Sequence, residues 1–148
     1  MPRRTTHNRI REALVNGTEM RVRGVNMYTG ERGDRYRVTA QGELYLWGNL
    51  VAHLRPTYCI VSTCGYNTET TRQAINTALG AYGERVGVTM PVVSVCEGSL
   101  NCGDVLWDGR EATCTTTTCT ITVGPVTMQF ALRSKNGRRK ARSAGETP

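Results

Sequence analysis

Thr68, Thr70, Thr71 and Arg72 follow a β-like run and open an apolar-striped segment, which makes them the residues best suited to grip an anion. Backbone amides at a helix N-terminus carry partial positive charge, and a guanidinium adds a full one. A phosphate or carboxylate fits such a place. The same residue types also satisfy a helix start with no ligand, and Glu69 opposes an anion. On the anion reading, Arg72→Ala abolishes binding without unfolding the chain.

The six cysteines fall as Cys59-x4-Cys64, Cys96-x5-Cys102 and Cys114-x4-Cys119. Zinc sites pair ligands across spacers of about 2–4 residues, so the two x4 pairs stand at the long limit and Cys96-x5-Cys102 beyond it. Strand residues five apart point to opposite faces, so Cys59 with Cys64, or Cys114 with Cys119, could share a metal only across a bend. Cys96 and Cys102 flank an expected loop and form the better pair. The metal candidates are therefore Cys96, Cys102, Cys114 and Cys119, and the competing reading makes them small buried hydrophobes. No cofactor is expected, with structural zinc as the alternative.

Asp104, Asp108 and Glu111 surround Trp107-Asp108-Gly109-Arg110, where a divalent cation could support phosphodiester chemistry. A polar turn explains the same residues. His7 falls near the terminus and His53 in an expected strand, leaving few general bases beside any nucleophile. No catalytic residue is assigned, and an enzyme is not the expected class.

The formal net charge of +7 is unevenly spread. Residues 1–40 hold 9 Arg against 4 acids, residues 41–132 hold 4 Arg against 7 acids, and residues 133–148 hold 6 Lys or Arg against 1 acid. The middle is mildly acidic and the ends are basic. Arg3, Arg4, Arg9 and Arg11 form one arm, and Lys135, Arg138, Arg139, Lys140 and Arg142 another. Such arms contact nucleic-acid phosphates through counterion release, and without aromatic interleaving the binding is non-specific and lost with salt. Arginine supplies 17 of the 19 basic residues, a bias that reads first as GC-rich coding.

The elements that must position these groups predict an α+β domain. Residues 6–15 place Ile10 and Leu14 four apart on a short helix that Gly17 ends. Residues 18–27 read as a half-exposed strand interrupted at Gly24, and residues 28–34 as a loop. Strands at 36–40, 43–47, 50–54 and 58–63 then form an antiparallel meander, with Leu44, Leu46, Val51, Cys59 and Val61 facing inward. A main helix starts at a Thr70–Gln73 capping box, with Thr68 as the alternative start, and lays Ala74, Ile75, Ala78, Leu79 and Tyr82 on the sheet. Gly83 is the expected C-terminal cap. Strands at 86–90 and 92–96, a loop at 96–104, a short strand at 105–107, a threonine-rich β segment at 112–123 and a strand at 126–132 complete the domain. The expected organisation is a basic N-terminal arm with its short helix (1–17), one α+β domain (18–132) and a disordered basic tail (133–148).

No apolar run follows the charged start, and no segment reaches the ~20 apolar residues of a membrane span, so a cytoplasmic location with reduced thiols is expected.

The segments Leu14-Val15-Asn16-Gly17-Thr18-Glu19-Met20, Tyr36-Arg37-Val38 and Thr70-Thr71-Arg72 together resemble small uncharacterised accessory proteins of tailed bacteriophages from actinobacterial hosts. The resemblance spans residues 14–83. Many relatives carry tryptophan or another aromatic before the threonines and a further basic residue or histidine after them, where this chain has Tyr66 and then Ala74 and Ile75. The resemblance implies a phage origin and the host cytoplasm, with no activity to transfer. The expected function is that of a small non-catalytic binding protein whose partner is a host protein or a nucleic acid, with no membrane involved.

Overall fold

The computed structural model describes residues 5–103, 105–123 and 126–134. The first helix, α1 (Thr6–Asn16), starts where the Thr5 hydroxyl accepts from the Asn8 amide and ends at Gly17, whose φ of 68° closes the last turn. Ile10, Ala13 and Leu14 form its buried stripe. That stripe packs chiefly on the second helix, so α1 belongs to the core.

Five strands follow as an antiparallel meander: β1 (Met20–Val25), β2 (Arg32–Val38), β3 (Glu43–Leu46), β4 (Asn49–Leu54) and β5 (Tyr58–Val61). After α2 (Glu69–Val86) come β6 (Val88–Thr89), β7 (Val93–Cys96), β8 (Ser99–Cys102) and β9 (Val105–Leu106). The chain then returns with β10 (Ala112–Thr115), β11 (Thr118–Val123) and β12 (Val126–Ala131), and closes with β13 (Arg133–Ser134). β10 pairs antiparallel with β5, giving one sheet in the order β1-β2-β3-β4-β5-β10-β11-β12. β7, β8 and β9 form a second small sheet, and β13 pairs with β6. The architecture is α+β and mainly antiparallel.

One face of the large sheet is the core. Leu44, Leu46, Cys59 and Val61 are buried on it, as their alternation predicts, and Val51 is buried too, as the extra residue of a bulge beside Ala52. α2 covers β3, β4 and β5 with Ala74, Ile75, Ala78, Leu79 and Tyr82. Small residues on this stripe let the helix lie close to the sheet.

Several expectations are corrected. Residues 28–34 are not a loop throughout, because β2 begins at Arg32 and pairs with β1 as far as Val25; Gly24 is paired with Gly33, and the irregularity is a bulge between Val22 and Arg23. The α2 cap is Thr68, whose hydroxyl accepts from the Thr71 amide, so the Thr70–Gln73 capping box does not form. Helix α2 runs through Gly83 to Val86 and is capped by Gly87 at φ 74°, which shortens the expected strand at 86–90 to β6. Residues 96–104 are not a plain loop: Glu97 and Gly98, both at positive φ, turn β7 into β8. The expected tail loses its first two residues to β13, which binds the backbone of β6. The remainder of the tail, 135–148, lies outside the described residues.

Candidate functional site

At the start of α2 the polar groups serve one another. The Thr68 and Thr71 hydroxyls lie 2.9 Å apart, and Thr71 is buried. Arg72 donates to the Asn67 side-chain oxygen at 2.7 Å and to the Asn67 carbonyl at 3.3 Å. Gln73 donates to Glu69. Thr70 sits in the first turn of the helix and takes no part in the cap. Thr68, Thr71 and Arg72 are thus brought together, but each is already engaged in holding the turn that precedes the helix.

Beside this turn lies a cleft of about 430 Å³ lined by residues 62–65 and 108–111. Its floor is fixed by Gly109, whose carbonyl accepts from both the amide and the hydroxyl of Thr63 at 2.9 Å. Asp108 accepts from the Arg110 amide at 3.0 Å and lies 3.6 Å from its guanidinium. Glu111 is exposed on the rim, and Asp104 lies outside the described residues. Cys64 adopts φ 54° because it and Gly65 form the middle of a tight turn, and its thiol donates to the Leu50 carbonyl. Neither His7 nor His53 lines the cleft, so no general base reaches the Cys64 thiol from an imidazole.

The cysteines assemble in an unexpected set. Cys59, Cys114 and Cys119 are register neighbours across β5, β10 and β11, and Cys102 joins them from the small sheet. All four are fully buried. The bend that Cys114 and Cys119 require is supplied by the turn at Thr115–Thr118, where the Thr115 hydroxyl accepts from two following amides. Their sulfurs lie 3.0 Å apart. Cys96 does not pair with Cys102: it is exposed beside the β7–β8 turn, opposite Ser99.

Burial, aided by Cys119 nearby, pushes the Cys59 thiol up to about 12. Cys102 is raised by its hydrogen bond with Cys119 and by burial. For Cys119 the hydrogen bond with Cys102 pulls the other way and is outweighed by the bond with Cys114, burial and the charge of Cys114. Among the described residues no group of three or more His, Cys, Asp or Glu side chains is arranged to hold a metal ion. The four cysteines lie in the buried core where the small sheet meets the large one.

Among the described residues, an exposed concentration of charge lies on the β1–β2 hairpin. Residues 20–38 hold Arg21, Arg23, Arg32, Arg35 and Arg37 against Glu31 and Asp34. β3 pairs only with Tyr36, Arg37 and Val38, so the distal half of the hairpin projects beyond the sheet as a two-stranded ribbon. Strand alternation and register put Arg21, Arg23, Arg32, Asp34 and Arg37 on the face turned away from the core. The Arg21 and Arg23 side chains are 64% and 68% exposed and sit 3.8 Å and 3.6 Å from Asp34. The Arg37 guanidinium lies 4.5 Å over the Tyr45 ring. Tyr45 in turn donates to Glu43, which together with burial raises its pKa.

At the apex Met27 and Tyr28 are 95% and 99% exposed. Asn26 holds them there. Its side-chain oxygen accepts from the amides of Tyr28 and Thr29, its carbonyl accepts from Gly30, and its amide donates to Glu31. In the sequence these arginines merge with the terminal charge, and the glycines at 30 and 33 read as a loop. The available signal was Asn26 with Gly30 as a turn between two arginine-bearing runs.

Of the residues expected in basic arms, Arg9 is exposed on α1 and Arg11 is bound to Glu84 of α2 at 2.6 Å. Arg3, Arg4, Lys135, Arg138, Arg139, Lys140 and Arg142 lie outside the described residues. No described helix is long and apolar enough to cross a membrane. No family model, curated protein or solved structure matches the chain.

Proposed function

We propose that the chain is a small, non-catalytic nucleic-acid-binding accessory protein, phage-encoded and working in the host cytoplasm, with the β1–β2 ribbon as its principal contact. The observation that carries this reading is the projecting hairpin with five arginines against two acids, four of those arginines on one open face. Guanidiniums on adjacent strands match phosphate geometry, and a two-stranded ribbon is narrow enough to enter the major groove of a duplex. The terminal basic residues add further phosphate contacts. Affinity then comes mostly from counterion release, and selectivity among sequences is low.

The test is binding of the full chain to duplex DNA, single-stranded DNA and RNA across a salt series, beside a variant carrying Arg21→Ala, Arg23→Ala, Arg32→Ala and Arg37→Ala. Each guanidinium meeting a duplex phosphate contributes about 0.9 to the slope of log affinity on log salt, so the variant binds more weakly with a shallower slope. Unchanged affinity in the variant moves the contact away from the ribbon. No binding by wild type at low salt overturns the reading and makes a host protein the partner to seek.

A further inference from the structure

Resting on the nucleic-acid reading, we infer that the ribbon apex is a base-contacting element in which the Tyr28 ring stacks on a nucleobase with Met27 packed beside it. The two most exposed large apolar side chains in the described structure are adjacent in the turn that joins β1 to β2. They are not there through slack in the chain. Five hydrogen bonds fix the turn: Tyr28 and Thr29 amides to the Asn26 side chain at 2.9 and 3.3 Å, Gly30 amide to the Asn26 carbonyl at 2.7 Å, Asn26 amide to Glu31 at 2.9 Å, and Glu31 amide to the Thr29 hydroxyl at 3.2 Å.

A turn held this firmly presents an aromatic ring with little entropy left to lose on contact. Its surroundings select the partner. Arg23 and Arg32 lie just behind the apex on the outward face, so whatever meets Tyr28 must also carry negative charge a few residues along the ribbon. A base step satisfies both demands, since its apolar face lies a short distance from its own phosphates. In single strands the base is already free to stack; in a duplex the apex would wedge between base pairs and kink the helix.

The experiment uses 2-aminopurine placed in a single-stranded oligonucleotide and in a duplex, titrated with wild type, Tyr28→Ala, Tyr28→Phe, Met27→Ala and the four-arginine variant. Both apex side chains are solvent-exposed, so these variants keep the wild-type fold and melting temperature. Stacking is worth about tenfold in affinity per base. Tyr28→Ala therefore loses about that factor with an unchanged salt slope, Tyr28→Phe retains wild-type binding, and Met27→Ala falls between. A fluorescence change with wild type on the single strand alone assigns the ring to unpaired bases, and an unstacking signal in the duplex assigns it to a wedge. If Tyr28→Ala binds and reports as wild type does while the four-arginine variant fails to bind, the stacking role is overturned and the ribbon reading stands. If wild type binds neither oligonucleotide, both fall.

Discussion

Asn76 and Val93 are joined edge to edge: the Asn76 side-chain amide donates to the Val93 carbonyl at 2.8 Å, and its oxygen accepts from the Val93 amide at 2.7 Å. A side chain on α2 thereby takes the place of a neighbouring strand for β7. Val93 is itself buried, so its backbone groups have no easy recourse to water. This pair fixes the height of the small sheet against the helix. Asn76→Ala removes both bonds and leaves two polar groups unpaired, a loss of about 1–3 kcal/mol. Urea unfolding of the two proteins checks it, and an unchanged midpoint contradicts the role.

Gly80 and Gly83 give opposite predictions from one residue type on one helix. A Cβ added at Gly83 would sit 2.4 Å from the Val88 carbonyl and 3.2 Å from Met90, because the chain returning from the Gly87 cap passes directly over this turn. At Gly80 nothing lies within 4 Å. Gly80→Ala should stabilise by up to about 1 kcal/mol through helix propensity. Gly83→Ala should destabilise by about 1–3 kcal/mol, since backbone rather than a flexible side chain must yield. Thermal melts of the two variants should move in opposite directions.

Gly83 also shows where the sequence runs out. Its position after Tyr82 reads as a helix end, and only the packing of β6 explains a glycine inside the helix. Positions such as Leu44, Leu46, Cys59 and Val61 were legible because one face of a strand is buried and period two follows from backbone geometry. The hidden parts depend on partners distant in sequence. Nothing local tells that β5 will pair with β10 and align Cys59 with Cys114, or that Arg11 will meet Glu84. The ribbon is hidden for a different reason: Gly30 and Gly33 are equally at home in a loop, and its arginines merge with the terminal charge. The residues first favoured for anion binding, Thr68, Thr71 and Arg72, are genuine neighbours whose hydrogen bonds are spent locally.

The cysteine arrangement predicts two classes of thiol. Cys96 is exposed and Cys64 half-buried, whereas Cys59, Cys102, Cys114 and Cys119 are enclosed, and the thiols of Cys59, Cys102 and Cys119 are pushed up by burial and by one another. Ellman's reagent should titrate Cys96 quickly and Cys64 more slowly in the native protein, leaving the other four until denaturant is added. Rapid native reaction of Cys96→Ser at more than one thiol contradicts this packing. Within the cluster, Cys119→Ser places a hydroxyl where no water reaches and should lower stability by about 1–3 kcal/mol.

His7 supplies an acid-sensitive contact between α1 and the sheet. Its ring meets Tyr36 edge-on at 5.8 Å, and burial, with Arg35 adding repulsion, holds its pKa below the ordinary value of 6.5. The unfolded chain therefore takes up a proton at a higher pH than the folded one. The stability contributed by neutral His7 is complete above the unfolded pKa and is lost as pH falls through the lowered folded pKa. His7→Phe keeps an aromatic edge against Tyr36 and has nothing to titrate. Between pH 7 and 5.5 the wild-type unfolding midpoint should fall more than that of His7→Phe, the gap widening with acidity. Parallel pH profiles for the two proteins would show that protonation of His7 costs the folded state nothing.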